Sequence, residues 1–426
     1  MRLQSMAPLS LLLLCAPTFG QSSEPPSRKE QKNLVQEYLQ LSRRDADTAS
    51  RRAAIIQRLD SVILSKKSER KKWRKELEKL ERKRPRLEKE SGKHWYWPKE
   101  KRGLYYVGGE LKKPKGLLIG MHGGGTGSGD ASGPWNIMKQ TAKNLDWVGI
   151  FPEVLEKTER GWTDSGTEEW VLQLIEDALR TWDIDPNQVY FSGHSMGGFG
   201  TWLLGGHHPD IAAGLAASAG APTPVYGPDG TILEIDFGVV PNLRNTRMVV
   251  FQSLDDPQVP PDANQAAVAD VKKAKKRWKG FEKFEYREVD GRGHGYPKEG
   301  YGTLLEAIAD ARRTPLPEYF LWQPSLPWKQ QYFWVYWPTP QKNTILECRR
   351  NKNTVSFSSL ETLDGLEILL QDGLFDLDQE IVIQINGVET NRATATPTLG
   401  TLLLTWHGTD KGRQFIARIP AQNPTP

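Results

Sequence analysis

The chain has 426 residues and a mass of 48.1 kDa, enough for two or three domains with a substantial core. Its 38% hydrophobic and 26% charged content excludes a disordered low-complexity chain and a polytopic membrane protein. The net charge of +5 is local, carried mostly by the first hundred residues.

Residues 1–20 carry Arg2, an apolar run Leu9–Leu14, and then Ala16-Pro17-Thr18-Phe19-Gly20. That order is a secretory signal peptide cleaved after Gly20, with an apolar run too short to span a bilayer. Leu14, just before Cys15, is too large for a lipidation site. After cleavage only Cys348 remains, so no internal disulfide forms and stability must come from the core. The chain is expected to be secreted or periplasmic.

Residues 21–94 form a basic helical region. Ile55, Ile56, Leu59, Val62 and Ile63, then Trp73, Leu77 and Leu80, recur at helical spacing, and Pro85 kinks or ends the last helix. The basic helices 28–93 offer contact with the envelope or cell wall, and within them the run Lys66 to Arg86 offers contact with anionic cell-wall polymer, lipid headgroups or nucleic acid. The plainer reading is a solvated face interleaved with Glu69, Glu76, Glu78 and Glu81.

From 95 to 315 the pattern becomes α/β. Strands are expected at 104–107, 116–121, 148–152, 189–192, 212–219, 248–251 and 284–289, with helices at 135–144, 167–182, 196–204, 260–279 and 302–312. Thr167 is the expected cap of its helix. Such alternation predicts a doubly wound, mostly parallel sheet with helices on both faces. Prolines 315, 317, 324 and 327 then mark a linker. Residues 316–426 read as a β-sandwich-like domain, with strands near 333–337, 344–348, 354–357, 366–370, 381–386, 402–406 and 415–419.

The chemistry centres on Gly193-His194-Ser195-Met196-Gly197-Gly198, placed between a strand and a helix. A serine on that strained turn is held out at the sheet's edge, and the helix start behind it favours negative charge. An acyl-transfer serine needs a base, an acid to orient the base, and oxyanion donors. His294 is the base, because it alone follows a late strand on a glycine loop, Gly293-His294-Gly295. His194 is expected to point away and to be a packing residue, and His207 and His208 read as helix C-terminal histidines. The acid is Asp256, in Asp256-Pro257-Gln258-Val259-Pro260, with Asp255 the alternative. The oxyanion donors are the amides of Met196 and of Gly123 or Gly124 in the loop His122-Gly123-Gly124-Gly125. Trp135, Trp162 and Trp170 either line a cleft or, the plainer reading, pack inside. The tryptophans between Trp322 and Trp337 suggest a carbohydrate-binding surface or a packing platform.

Together these motifs resemble the α/β-hydrolase superfamily over residues 96–315, roughly half the chain. The likeness is to secreted esterases of the polyhydroxybutyrate-depolymerase, feruloyl-esterase and dienelactone-hydrolase-like groups, and to prolyl-oligopeptidase-type catalytic domains. It implies a carboxylic-ester hydrolase working through an acyl-enzyme, with no metal or organic cofactor. The substrate is expected to be an ester, such as an acyl or phenolic ester on polysaccharide, with no nucleic acid partner. Serine stands where the dienelactone hydrolases carry cysteine, and no propeller precedes the catalytic part. The alternatives are a prolyl-oligopeptidase-type serine peptidase and a non-catalytic envelope-binding protein. Oligomeric state is not legible in the sequence.

Overall fold

The computed structural model describes residues 24–41, 46–342 and 344–422. The expected signal peptide, residues 1–20, lies outside the described residues.

Three helices come first: Arg28–Gln40 (α1), Ala46–Asp60 (α2) and Lys67–Glu81 (α3). One large sheet follows, made of Gly92–Trp97 (β1), Arg102–Gly109 (β2), Gly116–Met121 (β3), Trp147–Pro152 (β4), Val189–His194 (β5), Gly214–Ser218 (β6), Arg247–Ser253 (β7) and Phe284–Val289 (β8). The strands lie in the order β1-β2-β4-β3-β5-β6-β7-β8, and only the β1–β2 and β2–β4 pairs are antiparallel. This is the α/β-hydrolase fold. The sheet starts at Gly92, three residues ahead of the expected boundary, because Trp95 and Trp97 pair with Leu104 and Arg102 in a hairpin.

β3 and β4 are buried at every position, which requires cover on both faces. Met138 and Ala142 of Ser132–Asn144 (α4) join Leu304 and Leu305 of Gly302–Glu306 (α8) on one face. On the other lie Thr167–Trp182 (α5), Met196–His207 (α6) and Asp262–Trp278 (α7). The cap of α5 differs from expectation. Gly166, at φ 88°, holds that position, and its N–H donates to Glu169 at 3.0 Å. Thr167 is the first helical residue, and its hydroxyl instead accepts from the Leu155 amide at 3.4 Å.

Beyond the linker, two sheets face a shared core. One pairs Tyr319–Trp322, Leu346–Asn351, Thr354–Ser358, Ile381–Ile385 and Val388–Ala393. The other pairs Gln331–Tyr332, Val335–Tyr336, Glu367–Leu370 and Ala417–Pro420. Trp322, Trp334 and Trp337 are fully buried between them, so these tryptophans are packing groups rather than a sugar-binding face. The strand expected at 333–337 is split by a turn at Phe333, which sits at φ 50°. The strand expected at 402–406 is instead the helix Leu399–Leu404 (α9). Thr398 caps it by accepting from the Thr401 amide at 3.0 Å, and Leu399, Leu402 and Leu403 fall on one helical face.

That face explains the N-terminal helices. Leu399, Leu402, Leu403 and Trp406 share one core with Val35, Tyr38, Ile55, Leu59, Trp73 and Leu77. Backbone bonds stitch the join, Leu64 N–H to Pro397 O at 2.8 Å and Leu399 N–H to Val62 O at 2.9 Å. Arg418 pairs with Asp60, and buried Arg180 of α5 pairs with Glu81 at 2.6 Å. Chain start and chain end therefore form one unit. Trp406→Ala is expected to cost about 3–5 kcal/mol, read as a drop in the urea midpoint with an unchanged slope.

Candidate active site

β5 ends at His194, and the chain turns into α6 through Ser195 at φ 58°, ψ −125°. A non-glycine residue there is strained, and persists only where its surroundings over-determine it. The surroundings are backbone. The Ser195 N–H donates to Ser218 O at 2.9 Å, and the Gly198 and Phe199 amides donate to Ser195 O at 2.7 and 3.1 Å. A Cβ on Gly193 would stand 2.3 Å from Gly197 O, one on Gly197 2.2 Å from Met121 O, and one on Gly198 2.4 Å from Ser218 O. The three glycines are what allows the strand, helix and neighbouring strands to close on the serine.

Asp256 follows β7 and His294 follows β8. His294 Nδ1 donates to Asp256 Oδ2 at 2.8 Å and lies 3.0 Å from Oδ1. Oδ1 also accepts from the Gln258 and Val259 amides, both at 2.9 Å. Burial pushes the Asp256 pKa up, but the Val259 amide, His294 and the Gln258 amide overcome it, and the carboxyl sits below its usual range. A carboxylate there fixes the proton of His294 on Nδ1 and leaves Nε2 with a free lone pair. Asp255 does different work. Its Oδ1 accepts from the Arg292 and Gly293 amides at 3.1 and 2.9 Å, so it shapes the loop that presents His294.

His194 packs, as expected, but it does not point away. Its ring lies 4.7 Å from the His294 ring and 4.6 Å from Tyr296, and its Nδ1 is 3.0 Å from Ser218 Oγ. Burial, and then the proximity of His294, push its pKa down to about 4, so it is neutral at pH 7. It therefore braces the His294 loop against the elbow instead of pointing away. Nothing in the sequence signals this, because the ring's direction is set by the strained turn.

The glycine loop after β3 is ordered by His122. The Val154 amide donates to its Nε2 at 3.1 Å, so its proton lies on Nδ1, which donates to Gly123 O at 2.8 Å. Burial holds this imidazole below its ordinary pKa. Gly123 lies beside the serine: a Cβ there would be 3.2 Å from Ser195 Cβ and 3.8 Å from Oγ. Gly124, at φ 143°, belongs to the small hairpin with Ser128–Gly129. Met196 is the first residue of α6, so its N–H has no acceptor within the helix. Trp162 and Trp170 are buried, and Trp162 Nε1 donates to His122 O at 3.1 Å. Trp135 is half-buried and donates to Val107 O. Among the described residues, no group of three or more His, Cys, Asp or Glu is placed to hold a metal ion. The cleft at the junction of α5 with the C-terminal part is lined by neither Ser195 nor His294.

His207 and His208 close α6 and serve a second cluster. Glu168 Oε1 accepts from His207 Nδ1 at 2.8 Å and His208 Nε2 at 2.7 Å, while Lys329 donates to His208 Nδ1 at 3.1 Å and Asp210 at 2.7 Å. This buried network ties the large sheet's helix α6 to the linker.

No protein-family model matches the chain, and no curated protein matches it in sequence. Among solved structures, the chain is similar to a thermostable esterase at 19% identity and a TM-score of 0.37, covering 50% of this chain and 60% of that one. An acetyl xylan esterase from Aspergillus awamori matches at 15% identity and a TM-score of 0.35, over 48% of this chain and 93% of that one. A carboxylesterase from Mesorhizobium loti matches at 15% and 0.36, over 49% and 95%.

The buried network gives a pH prediction. Burial pushes the Glu168 pKa up, but the two histidines outweigh it and bring it down to about 2; burial and Lys329 push His208 down to about 4. Both folded values lie below the unfolded ones, so the unfolded chain binds more protons as acid is added. Stability is full above the unfolded histidine pKa and falls as pH drops through about 6.5 to 2. Glu168→Gln removes the carboxylate's share, and a urea-midpoint series from pH 7 to 3 is expected to show a flatter acid limb.

Proposed function

We propose that this protein is a secreted serine hydrolase of carboxylic esters, with Ser195, His294 and Asp256 as its triad. The observation that carries the reading is the His294–Asp256 hydrogen bond, on loops after consecutive parallel strands, beside a strained serine turn. In the reaction Ser195 Oγ attacks the ester carbonyl and its proton passes to His294 Nε2. Asp256 holds the imidazole and stabilises the imidazolium that forms. The negative charge on the carbonyl oxygen is received by the Met196 and Gly123 amides, with Gly124 behind them shaping the loop. His294 then protonates the departing alcohol, activates a water, and returns the proton to Ser195 as the acid leaves. The chain's own residues supply every proton transfer.

Acyl or phenolic esters on polysaccharide are the substrate class we favour. Residues 222–246, between β6 and β7, are a short insert rather than a large lid, which suits a bulky chain more than a small enclosed molecule.

The test is a panel of p-nitrophenyl acetate and butyrate, methyl ferulate, acetylated xylan and a proline p-nitroanilide. Ester hydrolysis is expected, lost in Ser195→Ala. Asp256→Asn is expected to lower kcat by about ten-thousandfold, with a smaller loss for Asp255→Asn, since Asp255 touches backbone amides and not the imidazole. Equal losses would reassign the acid. Anilide cleavage without ester cleavage would make the protein a peptidase.

A further inference from the structure

Charge is distributed unevenly along the chain. Between Lys66 and Arg86 stand twelve lysines and arginines against four acids. Three of those acids are already engaged. Glu69 accepts from the Lys66 amide at 3.4 Å, Glu76 faces Lys32 at 3.8 Å, and Glu81 is buried against Arg180. Most of the cations have no such partner.

Lys67, Lys71 and Arg74 fall at i, i+4 and i+7, so they form one stripe along α3, with a turn repeating every ~5.4 Å. With Arg70, Lys75, Glu78 and Asp372 they line a groove of about 330 Å3 between α3 and the C-terminal part. Arg70 is fixed in place. Its Nε donates to Leu64 O at 3.0 Å, its Nη2 to Ser65 O at 2.8 Å, and its Nη1 lies 3.2 and 3.3 Å from the Asp372 carboxylate. Among the described residues, Lys67, Lys71, Arg74 and Lys75 are held by no hydrogen bond or salt bridge. Arg74 is half-buried, and burial, with Arg70 beside it working against Asp372, holds its guanidinium below the ordinary pKa. Like charges three and four residues apart on a helix repel, and an anion laid along the stripe relieves that cost.

We propose that this groove docks an acidic polysaccharide, a sugar polymer bearing carboxylate or sulfate groups. The stripe neutralises anions spaced along a chain and releases their counterions. Asp372 and Glu78 in the same groove accept hydrogen bonds from the hydroxyls that lie between a polysaccharide's charged groups. The lining contains no aromatic side chain on which a base would stack, and no apolar side chain to enter a bilayer. A polymer that alternates anion and hydroxyl matches both kinds of group. The inference does not depend on the Ser195 chemistry, because binding is read without turnover.

The experiment measures binding of the full chain to polygalacturonate, heparin, dextran, duplex DNA and phosphatidylglycerol vesicles, beside the variant Lys67→Gln/Lys71→Gln/Lys75→Gln. These three lysines are exposed, and a thermal melt matching the parent checks the fold. Polygalacturonate or heparin is expected to bind and dextran not to. The triple variant is expected to bind about tenfold more weakly at low salt, with a shallower slope of log K against log salt. Binding of polygalacturonate shows that carboxylate suffices, and binding of heparin alone, which carries both groups, shows that sulfate is required. Undiminished binding by the variant would overturn the proposal. So would binding of DNA or vesicles without either acidic polymer.

Discussion

The site depends on a backbone contact in which there is no room for a methyl group. At the end of β5 the chain reverses within a few residues, and Gly193, Gly197 and Gly198 press against carbonyl oxygens of their neighbours. Any Cβ there would meet an oxygen at 2.2 to 2.4 Å. This close approach holds Ser195 at φ 58°, a conformation it would not keep alone. Once the turn is fixed, much else follows. His194 is thrown against the His294 ring, the α6 start presents its first amide, and the β3 loop lands beside the serine.

Around that turn the structure spends side chains on fixing protons and loops. His194 and His294 each have one ring nitrogen held by a defined partner, and His122 has both. For His122 a backbone amide at 3.1 Å places the proton, and for His294 a buried carboxylate at 2.8 Å does so. Asp255 and Asp256, adjacent in sequence, divide the labour: one binds the amides of the loop, the other binds the ring that the loop carries. The rest of the chain is held at a distance from this chemistry. α1–α3 and α9 share a core of their own, joined to α5 through the Arg180–Glu81 pair.

Much of this was legible in the sequence where the signal is local. The run Val189-Tyr190-Phe191-Ser192 followed by Gly-x-Ser-x-Gly specifies a buried strand and a tight turn, and the mostly parallel sheet follows from strand–helix alternation. What was not legible depends on distant parts of the chain. Leu402-Leu403-Leu404-Thr405-Trp406 suits a strand as well as a helix, and only the waiting surface of Val35, Leu59 and Trp73 decides for the helix. The first strand, Gly92–Trp97, has charged and aromatic residues in no clean alternation and is half-buried for most of its length, so its pattern is weak. The ring direction of His194 follows from a turn geometry that composition does not encode. Sequence also left Asp255 and Asp256 open, because a one-residue difference in a turn is settled by where β8 delivers His294.

The central claim is that the turn at Ser195 presents an activated nucleophile. It is tested most directly by treating the protein with a fluorophosphonate and locating the adduct by peptide mass spectrometry. The account predicts one phosphonyl group on the peptide carrying Ser195, with labelling slowed sharply in His294→Ala. No adduct, or an adduct on another serine with Ser195 unmodified, would contradict it.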